Sequence, residues 1–162
     1  MSDVTQGQKE SMRRKALGEL GELFAIKTLV DNGFTQIRNL NDVKMNYPFA
    51  DLYAEKDGGR YVISVKARNK FENNGINENL RYKLGSKCYE NANAAEEEFD
   101  AEACWMAIPF DKSKVTIYFG TLKELDGNKA ISISKCKSGE IGKRLVNNKE
   151  HYFDWDFFDN KR

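Results

Sequence analysis

The stretch Pro48-Phe49-Ala50-Asp51-Leu52-Tyr53-Ala54-Glu55-Lys56-Asp57-Gly58-Gly59-Arg60-Tyr61-Val62-Ile63-Ser64-Val65-Lys66 decides how this chain folds. Phe49 to Lys56 and Arg60 to Lys66 are apolar, aromatic and β-branched enough to read as two strands. They are joined by Lys56-Asp57-Gly58-Gly59, which holds the Asp-Gly and Gly-Gly dipeptides that tight hairpins need. Strands joined by so short a turn run antiparallel, so Asp51, opening the first, falls beside Lys66, closing the second. Two readings of that neighbourhood stand open: a cross-strand ion pair, worth about 1 kcal/mol or less when exposed, or a pair kept for chemistry.

Upstream, Leu17, Leu20, Leu23, Phe24, Ile26 and Val30 recur at three- and four-residue steps before Asn32-Gly33, which predicts an amphipathic helix over Ser11 to Asn32. Glu22 on that helix has Ile26 at i+4 and Leu29 at i+7, and Glu19 has Leu23 and Ile26 at the same offsets. A carboxylate beside apolar neighbours costs free energy unless paired or bound to a metal, so Glu22 is either bridged to a lysine or kept for a role. Phe34 to Asn39 reads as a short strand, and Ala67 to Lys83 as a loop with irregular turns. Ser86 to Glu102 reads as a second helix with Ser86 as its cap. Cys104 to Phe110, Lys114 to Phe119 and Ala130 to Ser134 read as further strands, with a helical turn at Thr121 to Leu125. This order of elements predicts an α/β protein layered around a mixed sheet, with residues 1–10 a flexible N-terminus and 11–162 one domain.

The composition excludes several classes. The 162 residues are 40% hydrophobic and 31% charged with only 2 Pro, a profile of a folded chain. No apolar run approaches the ~18 residues of a membrane span and the start is polar, which predicts a cytoplasmic protein. Cys88, Cys104 and Cys136 are too far apart for a zinc or disulfide framework and read as reduced. The single His151 excludes a histidine-rich metal site, and no GxxxxGK[ST] or GxGxxG is present, so no nucleotide cofactor is expected.

The near-neutral net charge of +1 conceals local asymmetry. Arg60 to Lys87 carries seven bases and two acids, interleaved with Phe71, Asn residues and Tyr82. Arg68, Lys70, Asn77, Asn79, Arg81, Tyr82, Lys83 and Lys87 are the candidates for contact with a polyanion, the alternative being a solvated loop. Lys112 to Lys149 has nine bases and three acids, whereas Glu90 to Glu102 has six acids and no base and would repel nucleic acid. The terminal aromatics Tyr152, Phe153, Trp155, Phe157 and Phe158 suit terminus packing, dimerisation or base stacking.

Taken in order, Gly18-Glu19-Leu20-Gly21-Glu22 with Leu29 and Asn32-Gly33-Phe34, then Asp51, then Ser64-Val65-Lys66, resemble the PD-(D/E)XK nuclease superfamily, from Gly18 to Ile108. The first helix is similar to that of archaeal-type Holliday-junction resolvases, and Ser-x-Lys to a motif found in some restriction enzymes. The resemblance implies a restriction-endonuclease-like three-layer α/β sandwich with a central mixed sheet. It also implies a catalytic set of Glu22, Asp51, Ser64 and Lys66. Ser64 stands where the superfamily usually has an acid, and a hydroxyl is a poorer Mg²⁺ ligand than a carboxylate. A displaced acid is then required, with Glu22 favoured, Glu90 next, and Glu78 and Glu19 behind.

What the resemblance implies is a metal-dependent DNA endonuclease, restriction-like or junction-resolving, acting on duplex or branched DNA as a homodimer. Mg²⁺, with Mn²⁺ as an alternative, would be held by Asp51, Glu22, the Val65 carbonyl and Glu90. Lys66 would orient or deprotonate water or stabilise charge on the phosphate, and Ser64 would hydrogen-bond a metal-bound water. The competing expectation, set by Ser64, is a nuclease-like fold that binds nucleic acid or a protein without cutting it.

Overall fold

The computed structural model describes residues 5–42, 47–72, 75–112 and 114–145. The terminal aromatics and His151 lie outside the described residues. Helix α1 (Gln6–Asp31) starts earlier than the apolar period indicates, because Thr5 and Gln8 form a capping box, each side chain bonded to the other's main chain. Residues 6–10 are therefore helical rather than a flexible N-terminus. The face of α1 that is buried runs through Gly21, Phe24, Ala25, Thr28 and Leu29, while Leu23 and Val30, expected inside, are 64% and 57% exposed. Gly21 sets that rotation: a Cβ there would collide with the Ala67 Cβ, so the helix lies against the sheet at this residue.

The central sheet has strand order β1-β2-β3-β5-β7-β9, with β6 paired to β5. Its strands are β1 (Thr35–Asn39), β2 (Leu52–Lys56), β3 (Gly59–Asn69), β5 (Glu102–Asp111), β6 (Lys114–Val115), β7 (Tyr118–Thr121) and β9 (Lys143–Arg144). The β2–β3 hairpin is the one expected: Lys56 pairs with Gly59, and both loop residues, Asp57 and Gly58, have positive φ (50° and 83°), as a two-residue primed turn requires. β3 runs parallel to β5, from Tyr61 opposite Glu102 to Asn69 opposite Phe110, and the other pairs are antiparallel. The parallel pair needs a crossover, which α2 (Cys88–Phe99) supplies.

α1 covers one face of the sheet, burying Phe24, Ala25 and Leu29 with Ile63, Val65, Cys104, Met106 and Ile108. The other face packs Val62, Trp105 and Tyr53 against Ala92 and Ala95 of α2. This is the mixed-sheet, three-layer α/β arrangement expected from the sequence. Details differ where tertiary pairing overrides local pattern. α2 starts at Cys88 behind Lys87, whose side chain makes no capping bond, so Ser86 is not the cap, and it ends at Phe99 rather than Glu102. The expected loop Ala67 to Lys83 contains the end of β3 and strand β4 (Arg81–Lys83), which pairs with β8 (Ala130–Ser132). The stretch read as strand to Ser134 turns at Ser132, whose hydroxyl caps helix α3 (Ile133–Ser138) by accepting from the Lys135 N–H. All three cysteines are buried and unbridged, and no described helix is long and apolar enough to cross a membrane.

Candidate active site

Asp51 sits one residue before β2, its backbone tied on both sides. Its N–H donates to the Ile63 carbonyl and its carbonyl accepts from the Leu40 N–H, both at 2.9 Å. Its carboxylate Oδ2 accepts from the Val65 N–H at 2.7 Å, a bond that fixes the side chain at the lip of β3. Burial raises this carboxyl above the ordinary aspartate range; the Val65 hydrogen bond, the Lys66 charge and the Asn41 amide oppose that rise without cancelling it. Asp51 and Lys66 therefore come together as the hairpin geometry requires, with Lys66 half-buried on β3.

Glu22 joins them from α1. It follows Gly21, the point where the helix touches β3, so its half-buried side chain reaches the sheet from the edge of the buried face. Its carboxyl is also raised, first by burial and next by the negative charge of Asp51. Two asparagines partly compensate: Asn41 Nδ2 donates to Glu22 Oε1 at 3.0 Å and Asn39 Nδ2 to Oε2 at 3.4 Å. The Asn41 amide also favours the charged form of Asp51, so one turn side chain acts on both acids. These asparagines, at the end of β1 and in the 3₁₀ turn Leu40–Asp42, escape sequence reasoning, because Asn39-Leu40-Asn41 has no periodicity and reads as a strand exit.

On β3, Ser64 and Val65 lie beside Asp51. Ser64, two positions before Lys66 on β3 and opposite Trp105 in register, is 1% exposed and brings no charge. Glu90 is exposed in the first turn of α2. Glu78 is engaged with Lys137 at 2.6 Å. Glu19 is exposed and raises the Glu22 carboxyl by its charge. Val65 is tied to Asp51 through its N–H. Among the described residues no group of three or more Asp, Glu, His or Cys side chains is arranged to hold a metal ion. The pair Glu22–Asp51 with Asn41 nonetheless fits a hard cation: two mutually repelling, partly desolvated carboxylates and an amide supply oxygen donors of the kind Mg²⁺ and Mn²⁺ take.

Of the expected polyanion contacts, Arg68, Asn77, Arg81, Lys83 and Lys87 are exposed. The Arg68 guanidinium donates to the Ala67 carbonyl at 2.7 Å, Lys70 pairs with Asp111 at 3.5 Å, and Asn79 Nδ2 donates to the Asn69 carbonyl at 2.7 Å. Tyr82 differs from expectation. In the exposed-buried-exposed alternation of β4 it points inward and is 1% exposed, so it belongs to the core and not to a binding face. The structure adds Arg13 and Arg14 of α1. With Arg68, Phe71, Asn79, Glu10 and Glu72 they line a cleft of about 780 Å³, in which Arg13 and Arg14 both pair with Glu10.

These layers, with two acids and a lysine converging where α1, β2 and β3 meet, define a restriction-endonuclease-like fold. The chain is similar in structure to Hjc from Archaeoglobus fulgidus, a Holliday junction resolvase from an archaeal hyperthermophile. The TM-score is 0.54 at 20% identity, over 72% of this chain and 89% of that one. No family model and no curated protein matches the chain.

Proposed function

We propose that this protein is a metal-dependent DNA endonuclease that hydrolyses phosphodiester bonds in duplex or branched DNA. The observation that carries this reading is the convergence of Glu22, Asp51 and Lys66 where α1 meets the start of β2 and its partner β3, with both carboxyls raised by burial. Two acids held close at such a cost, with Lys66 beside them, form an arrangement suited to function rather than to stability. The structural likeness to a junction resolvase supports the same reading.

In this mechanism Glu22 and Asp51 would hold a Mg²⁺ or Mn²⁺ ion, which when bound polarises the phosphate and acidifies water. Asp51 is kept in place by the Val65 N–H, so a phosphate docked at the site meets a rigid carboxylate. Lys66 would donate to the attacking water or to a non-bridging phosphate oxygen, offsetting the negative charge that grows in the transition state. Arg68, Arg81, Lys83 and Lys87, with Arg13 and Arg14 across the cleft, would hold flanking phosphates. One such site cuts one strand, so cutting both would be served by a homodimer.

Ser64 favours a second reading, a nuclease-like fold that binds DNA without cutting it, because the acid at that position is missing. Incubation with supercoiled and branched DNA in Mg²⁺ or Mn²⁺ separates the two. The nuclease reading expects cleavage by the wild type that falls by at least 100-fold in Asp51→Ala and Lys66→Ala, with gel-shift affinity retained. Folded wild-type protein that shifts DNA but leaves it intact would establish the second reading.

A further inference from the structure

The proposed site contains two acids, and the side chain bonded to Glu22 there is neutral. We propose that Asn41 is the third oxygen ligand of the cation site, taking the place of the carboxylate that Ser64 lacks. This rests on the nuclease reading of Glu22 and Asp51.

Asn41 Nδ2 donates to Glu22 Oε1 at 3.0 Å, and the turn that carries it is bonded to the Asp51 main chain. Its backbone is fixed from both directions. The Asn41 N–H donates to Asn39 Oδ1 at 3.0 Å, and the preceding Leu40 N–H donates to the Asp51 carbonyl at 2.9 Å, which ties the turn to the strand it serves. An amide is nearly symmetric in shape, so a half-turn about its last side-chain bond exchanges NH₂ for oxygen while the rest of the residue stays still. In this structure the NH₂ end faces Glu22 and offsets its charge. With a cation there, the oxygen end faces it, and amide oxygens are ordinary ligands of hard divalent ions. The other sources of a third oxygen are less well placed: Glu78 is engaged with Lys137, Glu90 is exposed on α2, and Ser64 offers a hydroxyl.

The probe is Mn²⁺ alone, measured by titration and by electron–nuclear double resonance on protein labelled with ¹³C at the asparagine amide carbon. The wild type is expected to bind Mn²⁺ and to show a ¹³C coupling at ligand distance. Asn41→Ala is expected to bind at least tenfold more weakly. Asn41→Asp keeps the residue's shape and offers a carboxylate oxygen, so it is expected to bind at least as tightly as wild type while losing the coupling. The Asp variant also keeps the test intact if the alanine variant fails to fold. Wild-type protein without an asparagine coupling, or Asn41→Ala binding within twofold of wild type, would overturn the assignment. Binding lost in Asp51→Ala but kept in Asn41→Ala defeats the role of Asn41 alone, whereas a wild type that takes up no Mn²⁺ defeats the nuclease reading along with it.

Discussion

Asp51 is held by a main-chain donor and a neighbouring lysine, yet its carboxyl is raised, because burial outweighs both. The sign of the consequence follows from linkage. A carboxyl whose folded value lies above its unfolded one favours the protonated form in the fold, so its contribution is fully present below the ordinary value near 3.8 and is lost as pH rises through the folded value. Glu22 acts in the same direction from its ordinary 4.5. Metal-free protein should therefore lose stability as pH rises out of the acid range, and Asp51→Asn, which keeps an acceptor for Val65, should melt higher than wild type at neutral pH. The two melting curves should converge below about pH 4, where both carboxyls are protonated. Thermal melts across pH in the presence of chelator check this, and an Asn variant that is less stable at every pH contradicts it. Asp51→Ala differs, since it strands the buried Val65 N–H and should cost about 1–3 kcal/mol.

At the scale of elements, the contact between Gly21 of α1 and Ala67 of β3 brings Glu22 to the sheet. Gly21→Val would force the helix outward, and overpacking of this kind costs about 1–3 kcal/mol. A lowered melting temperature together with weakened Mn²⁺ binding is expected, although the substitution removes no ligand. Unchanged binding in the destabilised variant would show that Glu22 does not need this helix position. The hairpin was legible in the sequence because Asp57-Gly58 specifies one turn and that turn specifies the register of Asp51 and Lys66. The rotation of α1 was less legible: Leu23 and Val30 are as apolar as Leu29, and only the small residue at position 21 sets which stripe faces inward. The role of Asn41 was not legible, since it depends on a turn meeting a helix nineteen residues away in sequence. Tyr82 was misassigned because a three-residue strand between basic residues carries too short an alternation to reveal its inward face.

Across the whole molecule, Arg13, Arg14 and Arg68 line a cleft beside α1 together with Glu10 and Glu72, while the acids of α2 lie on the opposite layer of the sheet. Such a distribution would orient a polyanion toward α1 and the ends of β2 and β3. Arg68→Ala should weaken DNA binding across sequences and reduce the slope of log affinity against log salt by about 1, as expected for one lost phosphate contact. Fluorescence anisotropy at several salt concentrations reads that slope, and an unchanged slope would remove Arg68 from the interface. The nuclease reading depends on Glu22 and Asp51 sharing a cation. The most direct test is a calorimetric titration of Mn²⁺ into wild type, Glu22→Gln and Asp51→Ala, each checked for folding by circular dichroism. The account expects specific uptake by the wild type that is lost in both variants; no uptake by the wild type, or uptake that survives both substitutions, would contradict it.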